Sequence, residues 1–299
     1  MTKPIFSKPE KQAKDLVKEL WKDGKIKSLG TERGYRQALK TAAEWSKSQR
    51  FKDGAGLRNI SPEEAKQYLT HRSDKIGQKA LDMERQALQS LMQHTGKLTP
   101  DERLERTQST QEIIEKTRSY TREQVALITQ RQTPPHQLAT RVALEAGLRA
   151  HELHTLRRAE EKPADPRPTR DEKFSGRPEG VRYTVEGKGG LTREVHLPMA
   201  LAQELEKHRL PTPESIQDRG IWYKTNYAIS GGKNWSNSFG RASKTAVGWS
   251  NGAHGLRHTY AKERMDTLQK SGITRRDSLE IVSQELGHFR PEITEVYLR

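Results

Sequence analysis

The chain of 299 residues contains no cysteine. That absence excludes a disulfide framework, a thiolate nucleophile and cysteine-based zinc sites. Aromatic residues make up only 6% of the sequence and apolar residues 31%, so any core is modest and the surface heavily charged. No apolar run approaches the ~20 residues that a membrane-spanning helix needs. The opening stretch, Met1-Thr-Lys-Pro-Ile-Phe-Ser-Lys8, lacks the apolar segment of a secretory signal. No Walker-type glycine-rich loop is present, which argues against an ATP-driven enzyme. There is no internal repeat and no low-complexity tract. The expectation is a cytoplasmic protein with no membrane partner.

Positive charge is what the chain has in excess. Lys and Arg number 54 against 39 Asp and Glu, a net charge of +15. An excess this large favours a polyanionic partner over a merely solvated surface. The length suits two domains of ordinary size.

The first part, 1–96, reads as a small helical domain. Helices are expected from Lys11 to Trp21, stopping at Gly24, and from Thr31 to Ser48, where Tyr35, Leu39, Ala42 and Trp45 share one face. Ser61-Pro-Glu-Glu64 combines a cap, a proline at the first helical position and a capping box, and opens a helix that buries Ala65, Tyr68 and Leu69. A fourth helix runs from Gly77 to His94. Residues 97–118 are polar and read as a linker. In 119–299, Thr121-Arg-Glu-Gln124 is another capping box, and an apolar helix spans His136–Ala146 until Gly147-Leu148-Arg149 breaks it. Residues 157–180, rich in proline and charge, read as a surface loop with room to move. Val181, Tyr183 and Val185 alternate, Gly187-Lys188-Gly189-Gly190 turns the chain, and Val195 and Leu197 alternate again. This β-hairpin with Lys188 at its tip is the one clear sheet signal. The remainder reads mostly as helices: 198–208, 236–246, 256–268 and 275–286. The fold class is therefore mainly α (α+β).

The chemistry concentrates near the end of the chain, in His254-Gly-Leu-Arg257-His258, Leu286-Gly-His288 and Tyr297. An arginine, proton-handling histidines and a phenol suit attack on a phosphodiester by a tyrosine hydroxyl. A phenol of ordinary pKa near 10 is roughly 0.3% ionised at pH ~7.5, a penalty of about 3.4 kcal/mol, so it needs a base or a cationic field. Forked arginine donors can hold the non-bridging oxygens and stabilise a pentavalent transition state. A lysine on a hairpin tip can protonate the leaving oxygen. Each element alone has a duller reading. Arg149 could be a surface ion-pair residue, Gly-Lys-Gly-Gly a plain turn, Leu-Gly-His a helix end and Tyr297 a packing residue. Their order along one basic chain is what outweighs those readings.

Taken together, these landmarks resemble the tyrosine recombinase (phage integrase) family over most of the chain. Gly147-Leu-Arg149-Ala-His-Glu152-Leu is similar to the first arginine box, which implies a catalytic Arg149 supported by Glu152. Glu186-Gly-Lys188-Gly-Gly is similar to the lysine hairpin, and His254-Gly-Leu-Arg257-His258-Thr to the second box. Leu286-Gly-His288 with Tyr297 nine residues later is similar to the third box and nucleophile. The resemblance implies catalytic Arg149, Lys188, His254, Arg257, His288 and Tyr297, with Glu152 and His258 supporting. Within that set His254 is the expected acceptor of the tyrosine proton, and His288 a donor to phosphate. The resemblance further implies that 1–96 is a core-type DNA-binding domain and 119–299 the catalytic domain. The closing words Ile-Val-Ser-Gln-Glu-Leu-Gly-His-Phe-Arg and Ile-Thr-Glu-Val-Tyr-Leu look closest to integrases of bacterial genomic islands and integrative conjugative elements. The implied activity is integration or excision of a mobile element through a 3′-phosphotyrosine intermediate. The implied partners are double-stranded DNA, a homotetramer on paired sites formed from a protein monomeric in solution, and an accessory DNA-bending or excision factor. No cofactor and no metal is implied, and the location is the bacterial cytoplasm with its nucleoid. Alternatives are type IB topoisomerase-like relaxation and a non-catalytic DNA-binding protein.

Arg33, Arg36, Lys40, Lys79 and Arg85 are candidate DNA contacts, which periodicity cannot separate from a solvated face. His254 and His258 are four apart and His151 and His154 three apart. The first pair lacks the glutamate of the zinc-protease pattern and the chain has no cysteine, so a metal role is not favoured, and His258 is read as buttressing the site. Three features depart from the family pattern. The 157–180 segment is long, which puts the first strand of the sheet in question. The 31 positions from Arg257 to His288 suggest an enlarged turn near Gln269–Thr274. Only Leu298 and Arg299 follow Tyr297, so coupling between subunits is expected to use another surface unless the chain was trimmed. No additional N-terminal arm-binding domain is read in the sequence.

Overall fold

The computed structural model describes residues 8–49, 56–112, 117–187 and 189–299. The chain divides into two compact units, Met1–Ile114 and Glu115–Arg299. Among the described residues the first unit holds α1 (Pro9–Lys22), α2 (Leu29–Ser48), α3 (Pro62–Ser73) and α4 (Gln78–His94), with a 3-10 turn at Leu57–Asn59. Local chemistry sets the helix ends. Ser28 Oγ accepts the Thr31 N–H at 3.1 Å and caps α2. Ser61 Oγ accepts the Glu64 N–H at 3.1 Å, and the Glu64 carboxylate accepts the Ser61 N–H at 2.7 Å. The box thus satisfies donors that a first turn leaves without intrahelical partners. Leu16, Leu20, Leu39, Tyr68, Leu88 and Leu91 form the core, on the faces that the helical spacing indicates.

The polar stretch read as a linker is bound to this unit as far as Gln111. Leu104 is buried, Gln78 bonds both Thr107 O and the Ser109 N–H, and Ser109 Oγ donates to Ile76 O at 2.7 Å. A linker composition is misleading here because its polar groups find partners along α3 and α4.

The second unit begins with α5 (Arg122–Gln130), capped by the Thr121 box, and α6 (Pro134–Ala146). Pro134 and Pro135 occupy the first turn of α6, where their missing N–H groups cost nothing. An antiparallel sheet follows in the order β1 (Arg157–Arg158), β2 (Gly180–Glu186), β3 (Thr192–Pro198). Tyr183 faces Val195 and Val185 faces Arg193 across β2 and β3. Next come α7 (Met199–Glu206) and a second hairpin of β4 (Arg209–Asp218) and β5 (Ile221–Tyr227). The unit ends with α8 (Gly232–Val247), α9 (Gly255–Lys270), α10 (Arg275–Glu285) and α11 (Pro291–Glu295).

Three expectations are corrected. The β4–β5 hairpin stands where no strand signal was read. Pro211 and Pro213 interrupt β4, and most of its residues are exposed on both faces, so the alternation that marks a half-buried strand is missing. The 157–180 segment contains β1 and is tied down rather than loose. The Arg170 N–H bonds Gln284 Oε1 at 2.9 Å, the Thr192 N–H bonds Asp165 Oδ2 at 2.9 Å, and buried Phe174 donates its N–H to Glu285 Oε1 at 3.0 Å. The turn between α9 and α10 is short, with Gly272 at φ +88°, and helix length accounts for the spacing from Arg257 to His288.

Candidate active site

Gly147 ends α6 in the left-handed conformation, φ +58°. A Cβ at this position would lie 2.8 Å from Tyr260 Cδ1 and 2.9 Å from Leu286 Cδ2, so glycine is needed for both backbone and space. The sharp turn throws Arg149 and Glu152 off the helix end. Arg149 donates its N–H to Glu152 Oε2 at 2.8 Å and its Nη1 to Glu152 Oε1 at 2.7 Å. Glu152 is fully buried, and burial alone would raise its pKa. Arg193, Arg257 and Arg149 outweigh that and hold its carboxyl well below the usual range. The β2–β3 hairpin reaches the same place. A Cβ on Gly187 would lie 3.3 Å from Glu152 Oε1 and 3.8 Å from Arg149 Nη1. Lys188, the next residue, lies outside the described residues.

Arg257, in the first turn of α9, is completely buried. Its Nη1 donates to Gly147 O and its Nη2 to Leu286 O, and Nη2 also donates to His288 Nε2 at 3.1 Å. Burial, then the charge of Arg149, push its pKa down to about 9, so it stays cationic at neutral pH. The forked donors expected to hold phosphate are thus mainly bound to backbone carbonyls; of the side chains, Nη2 meets His288, and Nη1 lies 4.0 Å from Glu152 Oε2. Arginine only donates, so His288 Nε2 is an acceptor and the ring proton sits on Nδ1, 3.4 Å from Thr294 Oγ1.

α11 and the following turn bring Tyr297 against this set. The residue is 9% exposed. The centroids of His258, His288 and His254 lie 4.7, 5.0 and 5.4 Å away, and Arg257 Cζ is 5.5 Å from the Tyr297 centroid. His258 Nδ1 donates to the Tyr297 carbonyl at 3.2 Å and so fixes the backbone that carries the phenol. Loss of hydration lowers all three imidazoles, to about 4 for His254 and His258 and about 3 for His288. Arg257 adds to the shift at His254 and His288, and Arg118 at His258. All three are neutral at pH 7 and carry a lone pair.

The structure therefore brings together Arg149, Glu152, His254, Arg257, His258, His288 and Tyr297. It also adds Arg193, which the sequence reading missed. Arg193 lies on the same face of β3 as buried Val195 and Leu197, so strand alternation was the available signal. The DNA-contact candidates all lie in the first unit. Arg33, Arg36 and Lys40 form one stripe of α2, with Arg36 paired to Glu32 at 3.7 Å and Lys40 to Glu10 at 2.9 Å. Lys79 is exposed near the start of α4. Arg85 turns inward, bonding Gln89 Oε1 and Leu104 O at 3.1 and 3.2 Å. Among the described residues no group of three or more His, Asp or Glu side chains is placed to hold a metal ion.

Solved structures with the same architecture span nearly the whole chain. The XerH site-specific recombinase in a pre-cleavage complex with difH superposes with a TM-score of 0.57 at 19% identity, covering 96% of this chain and 81% of that one. A lambda integrase dimer bound to a COC' core site gives 0.57 at 18%, covering 97% and 76%. The Tn1549 transposon integrase with circular intermediate DNA gives 0.53 at 16%, covering 96% and 95%. The chain has the tyrosine recombinase fold. Neither family models nor curated proteins match this sequence. Within the second unit of this chain Arg149, Arg257, His288 and Tyr297 lie together.

Proposed function

We propose that the chain is a site-specific DNA recombinase that cuts and rejoins duplex DNA through a 3′-phosphotyrosine. The observation carrying this reading is the Tyr297 ring enclosed by three neutral imidazoles and Arg257. The Tyr297 oxygen attacks phosphorus, the bond from phosphorus to the 5′ oxygen breaks, and the DNA is left joined to tyrosine with a free 5′ hydroxyl. Arg149, less buried than Arg257, holds a non-bridging oxygen from the outer side. Arg257 redirects its His288-facing donor to the other, and His288, staying neutral, donates to phosphate once its ring proton moves from Nδ1 to Nε2. His254 receives the phenol proton and Lys188 supplies one to the leaving oxygen. A phosphodiester between the arginines offsets the cationic field that lowers the imidazole pKa values, so these rings become better bases where a phosphate is present. The covalent bond conserves the broken linkage, and attack by another strand's 5′ hydroxyl reverses the step.

The finer reading is integration or excision of a mobile element such as a genomic island or conjugative element, in the bacterial cytoplasm. It would proceed by a tetramer assembled from monomers on two DNA sites with an accessory DNA-bending or excision factor. The Tn1549 neighbour is a transposon integrase, and a lambda integrase neighbour is a tetramer bound to a Holliday junction, which supports that reading. The helical unit, with its α2 stripe, would contribute to binding the core site.

The test uses a pool of nicked suicide duplexes with randomised centres. Wild-type protein should form a denaturation-resistant adduct on a narrow set of sequences, and Tyr297→Phe should form none. No adduct from the wild type would sink the enzymatic reading. Adducts on unrelated sequences, with relaxation of supercoils and no recombinants, would move the assignment to a type IB topoisomerase.

A further inference from the structure

We propose that Arg193 is a positioning residue for the phosphate-holding arginines and for the segment that carries His288; this inference rests on the recombinase reading above. Arg193 is 2% exposed on β3, five residues beyond Lys188. Its guanidinium joins three separate stretches of chain. Nη2 donates to Glu152 Oε2 at 2.7 Å and to Gly147 O at 3.4 Å, and Nη1 donates to Glu285 O at 2.6 Å. One side chain therefore fastens the first arginine box and the end of α10 to the sheet whose hairpin carries Lys188.

The end of α10 shows why this placement matters. The last carbonyls of a helix have no intrahelical partners and carry the negative end of its dipole. Here the neighbouring carbonyls of Glu285 and Leu286 each receive an arginine, Arg193 on the first and Arg257 on the second. The chain then turns at Gly287, φ +70°, where a Cβ would lie 2.5 Å from Arg193 Cδ. The stem of Arg193 thus occupies the space beside the turn that launches His288. On its other side Arg193 shares Glu152 with Arg149 and Gly147 O with Arg257. Being buried, it reaches the reacting phosphate only through these neighbours. A lysine would keep the charge but lose the planar fork that spans Glu152 and Glu285 O.

The experiment compares the full-length wild type with Arg193→Met, Arg193→Lys and a control, Arg264→Met. Arg264 is equally buried, but it pairs with the Glu285 side chain at 2.8 Å rather than with the box carbonyls. The measurements are melting temperature, equilibrium binding of a duplex recovered from the suicide selection, and adduct-formation rate at saturating duplex. Arg193→Met should bind the duplex within about twofold of wild type and form adduct about 100-fold more slowly, the scale expected for misplaced reacting groups. Arg193→Lys should recover about tenfold of that loss. Arg264→Met should lose as much thermal stability while its folded fraction reacts within about threefold of wild type. If Arg193→Met does not fold, Arg193→Lys carries the test: slower adduct formation with unchanged binding supports the assignment, and wild-type rates overturn it. Parallel loss of rate and stability in Arg193→Met and Arg264→Met would also overturn it. Absence of any adduct from the wild type would instead remove the recombinase reading, and this proposal with it.

Discussion

His258 allows the energetics of one buried group in the site to be measured by itself. The residue is 4% exposed, and loss of hydration followed by the charge of Arg118 lowers its pKa to about 4. In an unfolded chain the value is about 6.5. Between these values the unfolded chain binds a proton that the folded chain refuses. Stability from this residue is therefore fully present above pH ~6.5, falls as the pH drops, and levels off below the folded value. At pH ~4.5 the loss is about 2.5 kcal/mol. His258→Gln removes the titration while leaving an amide that can donate to the Tyr297 carbonyl. Urea unfolding of both proteins is followed at pH ~7 and pH ~4.5 through amide exchange of α9 peptides, which scores only the unit that carries His258. The variant should lose about 2.5 kcal/mol less than wild type on acidification. His288 is shifted in the same direction but is present in both proteins, so its contribution cancels, and His254 keeps its main causes, burial and Arg257, in both. Equal acid sensitivity of the two proteins, within about 0.5 kcal/mol, would refute the reasoning.

Three other outcomes are expected. Gly147→Ala should cost about 2–4 kcal/mol in urea unfolding, from the left-handed backbone and the close contacts with Tyr260 and Leu286; a loss under about 0.5 kcal/mol would mean that those neighbours yield freely. Arg257→Lys should slow adduct formation on a selected duplex by at least ~100-fold, because one ammonium cannot serve Gly147 O, Leu286 O and a phosphate oxygen together; gel-resolved adduct at wild-type rates would contradict this. Duplex affinity should fall about 1000-fold between ~50 and ~200 mM salt if about six phosphates are contacted. Binding indifferent to salt would count against the net charge of +15 as its driving force.

What could be read beforehand depended on whether a residue's environment was local. Ser61 and Glu64, or Thr121 and Gln124, announce a helix start within four positions, and the structure has both boxes. Arg149, His254, Arg257, His288 and Tyr297 were legible because each sits at a helix end or turn whose short motif is distinctive. Arg170 was not, because an arginine among prolines and charges looks solvated, and its partners Gln284, Asp277 and Glu280 lie more than a hundred residues away. The β4–β5 hairpin was hidden for a different reason. Trp222 is 67% exposed and only the end of β5 is buried, at Thr225 and Tyr227, so the hairpin imposes little alternation on its sequence. Arg193 was missed because the alternation of Val195 and Leu197 was used to locate a strand and not to ask which way its neighbours point.

Gly147, Glu285 and Leu286 meet the two buried arginines through main-chain oxygens, not through their side chains. A carbonyl is present whatever residue supplies it. The arginine contacts of this part of the site therefore depend on the path of the main chain at Gly147 and Gly287, while the Glu285 side chain is committed separately to Arg264, Tyr260 and the Phe174 N–H. The same wiring predicts where divergence is not free: at the arginines, at Glu152 and at the two glycines.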